Sequence, residues 1–149
     1  MVKTPFSDSR ILERDGVLSV RLPASIPERE VSRLGLELVY RWFRSQARYV
    51  ITERVTLMSE KMGLRFGTIR IKDTVSRWGS CSRRGNLNFN WRLVIAPMHI
   101  IDYLVVHELV HLKEMNHSRR FWDMVSLYCP EYKNHVVWLK SCGNKLFAF

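Results

Sequence analysis

From Asp15 the chain reads DGVLSVRLP, in which Leu18, Val20 and Leu22 alternate with Ser19 and Arg21. This is the period-2 pattern of a strand with one buried face, and Pro23 stops it, so a strand is expected over 17–22. From Pro27 the period changes. Val31, Leu34, Leu38, Trp42, Val50, Val55, Met58 and Met62 recur near helical spacing as far as Gly63. They predict one long helix or two in succession, with the arginines on the wet side. FGTIRIKD, SRWGSCS and GNLNFNWRL return to short alternation between polar turns marked by Gly79 and Gly85, and are expected to form an antiparallel meander. Pro97 opens a second helical region, where Ile100, Leu104 and Val105 share a face that Leu109 and Leu112 roughly continue; its end is expected near Met115 or Asn116. Asn116 or Ser118 then caps SRRFWDMVSLYC, Pro130 stops it, and EYKNHVVWLKSCGNKLF forms the last helix. Together these elements predict a single α+β domain over residues 1–149. It has a long N-terminal helix, a small antiparallel sheet, a central helix and two C-terminal helices, with a cleft between sheet edge and central helix.

Composition narrows the class. With 149 residues, 46% hydrophobic and 26% charged, the chain is long enough to bury a core without disulfides and has the balance of an ordinary globular protein. The start, MVKTPFSDSRILERDG, lacks the apolar run of a signal peptide, and the longest apolar stretch, IIDYLVVHELVHL, is interrupted by Asp102, His107 and Glu108. No membrane span is expected. Three cysteines, Cys81, Cys129 and Cys142, show no CxxC spacing, which suits a reducing cytoplasm and argues against a cysteine-based zinc site. A formal net charge of +10 favours encounters with phosphates, nucleic acid or acidic surfaces. Oligomeric state is not legible.

The chemistry concentrates in HELVHLKEMNH, which holds three of the five histidines. On a helix His107 and His111 stand one turn apart on one face, so both imidazoles can reach one ion. Glu108 leans to the side of that pair, where a general base for an attacking water must stand without becoming a ligand. His117 lies six residues past His111 and can fold back after the helix end to complete the set. Neutral imidazole prefers zinc to calcium or magnesium. Zinc would bring the pKa of a water from 15.7 to about 7, and Glu108 would take its proton. An amphipathic helix with Leu109, Val110 and Leu112 turned inward would also account for HELVH; it is the addition of His117 that makes a metal site the better reading.

HELVHLKEMNHSRRFW, with RWGSCSRRGNLNFNWRLVIAP before it, resembles the YgjP-like metallopeptidase family, related to the WLM and SprT-like zinc proteases. The resemblance covers roughly residues 17 to 140. It implies a small zincin-like, gluzincin-like fold, metal-ligand roles for His107, His111 and His117, and a catalytic role for Glu108. The part before the long helix looks shorter than in longer members, with less sheet.

Other candidates have plainer explanations. Glu131 follows His111 by twenty residues, the interval at which thermolysin-like enzymes place a glutamate ligand, but an acid just after Pro130 also suits a helix N-terminus. His99 and His135 are assigned no role, and Cys81 reads as a small buried residue rather than a nucleophile. Phe121, Trp122, Trp138 and Phe147 read as core. GNLNFNW would send Leu87, Phe89 and Trp91 to one face and Asn86, Asn88 and Asn90 to the other. It is read either as a plain core strand or as the sheet edge beside the metal, receiving an extended peptide through Asn88 and Asn90. Arg77, Arg83, Arg84, Arg92, Lys113, Arg119 and Arg120 flank the motifs; most are expected to be solvated, but if two or three of them, such as Arg77, Arg119 and Arg120, converged on the metal they would favour a phosphate-bearing substrate. The leading expectation is a zinc-dependent peptidase acting on a peptide or protein. The alternatives are a metal-dependent nucleoside triphosphate pyrophosphohydrolase, an activity the family resemblance also suggests, and a nucleic-acid-binding module whose metal is structural.

Overall fold

A computed structural model describes residues 9–148. The elements in chain order are β1 (Arg10–Arg14), β2 (Val17–Arg21), α1 (Glu28–Met62), β3 (Ile69–Lys72), β4 (Gly79–Cys81), β5 (Leu87–Asn90), a 3-10 turn (Trp91–Ile95), α2 (Met98–Val110), α3 (Arg119–Tyr128) and α4 (Tyr132–Leu146). The α+β class expected from the pattern is what the chain forms. By internal packing it divides within α1, into Met1–Ser45 and Gln46–Phe149. No helix among the described residues is long and apolar enough to cross a membrane.

In the first unit β1 and β2 pair antiparallel, Arg10 opposite Arg21 and Arg14 opposite Val17. Asp15 and Gly16 both have positive φ, 52° and 77°. A two-residue turn of this kind matches the twist of the flanking strands, and Gly16 adopts it without steric cost. Strand β1 was not anticipated, although the Asp-Gly pair is its signal. The first part of α1 buries Leu34 and carries Glu30–Arg33 and Glu37–Arg41 pairs on its surface.

In the second unit α1 continues without a break, so the long segment is one helix rather than two. Ala47, Ile51 and Val55, each 0% exposed, form its inward stripe at every fourth position. Two backbone bonds close its end, Leu64 N–H to the Ser59 carbonyl at 2.9 Å and Gly63 N–H to that of Glu60 at 3.1 Å, the double bond typical of a helix that stops at glycine.

The sheet departs from expectation. Its order is β3-β5-β4, with β3 parallel to β5 and β4 antiparallel to it. The antiparallel meander is therefore corrected to a mixed sheet, and GNLNFNW supplies its central strand, not its edge. Burial explains the order. Leu87 and Phe89 are buried completely or nearly so, and the most apolar strand is satisfied best between two neighbours. The residues after β3 pass beyond β5 before β4 turns back, so neighbours in sequence are not neighbours in the sheet.

Helix α2 runs through the middle of this unit. Ile100, Ile101, Tyr103, Leu104, Val105, Val106, Glu108, Leu109 and Val110 are all buried, which leaves almost no solvated face, in contrast to the one-sided stripe expected. It packs against β4, the 3-10 turn, α3 and α4. The helix ends at Val110, a little before the expected Met115 or Asn116, because Leu112 and Lys113 bond back to the Leu109 and Val110 carbonyls in a tighter turn. Ser118 caps α3, its hydroxyl accepting from Phe121 N–H. On the far side of α2, Arg54 of α1 grips Asp102 with two bonds of 2.5 and 2.8 Å.

Candidate metal centre

Helix α2 delivers His107 near its end, the turn that follows it holds His111, and the segment leading to α3 brings back His117. One ligand atom from each lies within 4.8 Å of the others. The Nε2 atoms of His107 and His117 are 3.1 Å apart. His111 Nδ1 lies 3.0 Å from the Glu114 carbonyl oxygen, so Nδ1 carries the hydrogen and Nε2 keeps its lone pair. Tyr103 Oη stands 3.4 Å from His107 Nδ1 and can fix that ring in the same sense. Burial, then the neighbouring imidazoles, pushes His107 down to about 3. Burial also lowers His111. Both rings are thus neutral at physiological pH, the form that binds metals.

Phe121 of α3 lies under all three rings, its centroid 4.8, 4.6 and 4.7 Å from those of His107, His111 and His117. It is wholly buried and backs the cluster, so the imidazoles are held by packing as well as by hydrogen bonds. The sequence placed Phe121 only in the core. Its position four residues past His117 was the available signal.

Glu108 is 4% exposed, and burial raises its carboxyl to about 8. Its Oε2 has no hydrogen-bond partner among the described residues. Its other side faces β4: a Cβ built on Gly79 would meet Glu108 Oε1 at 2.6 Å and its Cδ and Cγ at 2.9 Å. Gly79 therefore leaves the space the carboxyl fills. Sequence reading had marked it only as a turn residue.

These observations fit a transition-metal ion. Three neutral imidazoles converge, and two nitrogens 3.1 Å apart are close to the ~3.3 Å edge of a tetrahedron with bonds of roughly 2.0–2.1 Å. The orphaned Oε2 of Glu108 is a buried acceptor waiting for a donor such as water. Residues 28–142 match the YgjP-like, metallopeptidase domain.

The chain belongs to the YgjP-like metallopeptidase family.

Among solved structures, the family member resembles the metallopeptidase zymogen abylysin of Pyrococcus abyssi, with a TM-score of 0.52 and 18% identity over 62% of this chain and 95% of that one. It also matches the metallopeptidase zymogen jannalysin of Methanocaldococcus jannaschii, with a TM-score of 0.49 and 22% identity over 58% and 93%. No curated protein matches the sequence. The abylysin likeness shows that the fold is shared with a metallopeptidase.

Of the flanking arginines, Arg83 lines a cavity with Arg65 and His111; the other candidates lie elsewhere. Asn88, Asn90 and Arg77 line one cavity together with Lys72, Trp78 and Ser80. Asn88 donates to Ser80 Oγ at 3.1 Å. Asn90 is 1% exposed, and its amide donates to the Thr74 and Arg77 carbonyls at 2.6 and 3.3 Å while its oxygen caps Arg92 N–H. Arg119 and Arg120 open α3 with exposed side chains; Arg120 reaches Glu114 at 3.2 Å and Arg119 reaches Asp123 at 3.9 Å. Arg92 pairs with Asp73 at 2.6 Å. Glu131 lies with His99, His135 and Cys129 in a separate cavity, outside the imidazole cluster. Burial, then Glu108, pushes the Cys81 thiol up to about 11, which favours the thiol over the thiolate.

Proposed function

We propose that this protein is a zinc-dependent peptidase in which His107, His111 and His117 hold the ion and Glu108 is the general base. The observation that carries this reading is a buried carboxyl with an unpartnered oxygen, one residue along a helix from the first of three converging imidazoles. Zinc bound there would act as a Lewis acid on the scissile carbonyl and lower the pKa of the attacking water from 15.7 to about 7.

The chain's own residues supply the rest. Glu108 accepts the proton of the attacking water at Oε2 and returns it to the departing amine nitrogen, so no net proton is consumed. Its buried setting makes the ionised form a stronger base than a wet carboxylate. Tyr103 and the Glu114 carbonyl keep the Nδ1 sides of His107 and His111 occupied. Strand β4 supplies a place for the substrate backbone. Trp78 O accepts from Asn90 N–H and Ser82 N–H donates to the Asn86 carbonyl, so by alternation the main-chain groups of Gly79 and Cys81 face the free edge, where an extended peptide can add as a further strand. This moves the expected peptide-binding edge from β5 to β4. The free cysteines support a reducing, cytoplasmic setting.

The test compares cleavage of casein or peptides with cleavage of a nucleoside triphosphate by the same zinc-loaded preparation, each with a Glu108→Gln control. Peptide cleavage falling by roughly 10²–10⁴-fold in the variant, with zinc content and fold retained, is the expected result. Glu108-dependent pyrophosphate release without Glu108-dependent peptide cleavage would overturn the proposal.

A further inference from the structure

Strand β4 has two faces that do different things. At Gly79 the side-chain direction points at the Glu108 carboxyl. Ser80, the next residue of the strand, points the other way, while the ring of Trp78, just before the strand, turns to α4 and Phe147. Ser80 stands opposite Asn88 in the ladder and accepts from its amide at 3.1 Å, while Lys72 stands opposite Asn90 across the parallel pair. These side chains share the outer face of the sheet, over which lies a cavity of about 410 Å³.

Its electrostatics are one-sided. Lys72 and Arg77 line it and no carboxylate does. Neither cation makes an ion pair among the described residues. Asp73, the adjacent acid in the chain, is taken by Arg92 at 2.6 Å. Arg54 and Arg120, by contrast, are matched by Asp102 and Glu114. With 24 basic against 14 acidic residues, unmatched cations are common on this chain, and Arg65 and Arg83 line another cavity; what sets Lys72 and Arg77 apart is that their cavity lies over the outer face of the strand that also meets Glu108. Arg77 is also braced: Asn90 holds its carbonyl and that of Thr74, and the Thr74 hydroxyl donates to the same Arg77 carbonyl at 2.8 Å. Ser80, whose oxygen accepts from Asn88, still has its hydroxyl hydrogen to donate.

We infer that this cavity is a substrate subsite for an acidic side chain of a peptide lying along β4, with Lys72 and Arg77 holding its carboxylate. The inference rests on the peptidase reading and adds a specificity to it. An extended peptide on the β4 edge sends alternate side chains to opposite faces. Those facing α2 meet the imidazoles and Glu108, and those facing outward meet the cavity. A glutamate or aspartate there gains charge-assisted bonds, whereas a lysine or arginine meets like charge. A peptide suits the site better than a nucleotide, because β4 offers main-chain groups for strand pairing and no α-helix begins among the lining residues to cradle phosphates.

The experiment uses the full chain and a set of fluorescent peptides identical except for Glu, Gln or Lys, placed in turn at each position flanking the scissile bond. At one position wild type should prefer Glu over Lys by tenfold or more in kcat/KM, with Gln between, and Lys72→Glu/Arg77→Glu should invert the order. Binding is read separately, by anisotropy of the Glu peptide on the Glu108→Gln protein with and without Arg77→Glu; a tenfold or greater weakening is expected. Both substituted side chains are exposed, and circular dichroism confirms that the variants fold. Cleavage with no acid preference at any position overturns the subsite and leaves the peptidase reading intact. Acid-selective binding that needs Arg77, without any cleavage, sinks the peptidase reading and keeps the subsite. Absence of both, or a nucleoside triphosphate displacing the peptide while peptides show no charge preference, overturns the inference.

Discussion

The carboxyl group of Glu108 fills the space that a side chain at Gly79 would occupy, 2.6 Å from the position of the missing Cβ. Helix α2 and strand β4 are thereby fitted to each other at the one acid of the site.

Gly79→Ala tests that fit. Gly79 does not have positive φ, so the backbone accepts alanine, and the nearest atoms the added methyl meets are those of Glu108. The side chain must rotate away from its present place, and kcat should fall tenfold or more, since small misplacements of a reacting group are costly, while zinc per chain stays constant. Unchanged kcat in a folded, fully loaded variant would mean that this contact does not position the base.

The metal-free protein should show opposing pH dependences. Glu108 is raised from 4.5 to about 8. It is protonated in folded and unfolded chains at low pH; as pH rises through this window the unfolded chain ionises first, and stability falls. His107 is lowered from 6.5 to about 3. It is neutral in both states at high pH; as pH falls through this window the unfolded chain gains the proton first, and stability falls again. Glu108→Gln removes the alkaline loss only. Its Tm should exceed that of wild type near pH 8, by an amount corresponding to several kcal/mol, and converge with it near pH 4. Thermal scans of chelator-treated protein giving equal Tm values at the higher pH would contradict the burial of this carboxyl.

Loaded protein should hold about one zinc per chain. His107→Ala and His111→Ala should each abolish it, because removing either leaves two imidazoles, and a chelator should lower the Tm of wild type but not of these variants. Elemental analysis that finds undiminished zinc in the double variant rules out this cluster.

The two asparagines of β5 should separate. Asn90 is 1% exposed and bonds to the Thr74 and Arg77 carbonyls and to Arg92 N–H. Asn90→Leu leaves those groups unmatched and should cost about 1–3 kcal/mol for each that stays buried without a partner. Asn88→Ala loses one bond to Ser80 and should cost about 1 kcal/mol or less. Denaturant titration of both variants gives the comparison; equal losses would show that Asn90 does not brace the loop before β4.

How far the sequence could be read depended on the range over which each signal acts. The spacing of His107, His111 and His117 was enough to bring them together because two lie one helical turn apart and the third follows a short return. Helix α1 was visible from its periodicity, yet its inward stripe in the second unit runs through Ala47 and Ile51, which the expected stripe omitted in favour of Val50. Strand pairing is non-local and left weaker traces. Nothing in SRWGSCS says that it crosses beyond GNLNFNW, so whether that strand is a core strand or an edge stayed open in the sequence. Gly79 and Phe121 acquire their importance only from what folds against them, a glutamate twenty-nine positions later and three imidazoles.

Because α2 is buried on nearly every side, the site is split between two regimes of amide exchange. The amides of Ile100 to Val110 lie among side chains that are almost wholly buried, and should exchange only when the whole unit unfolds. The segment from Lys113 to Ser118 is largely exposed and can open by itself. Glu108 and His107 therefore persist as long as the fold does, with His111 anchored at the helix end. The backbone amides around His117 should exchange on the faster clock of a surface segment, although its ring rests on Phe121 and Trp122.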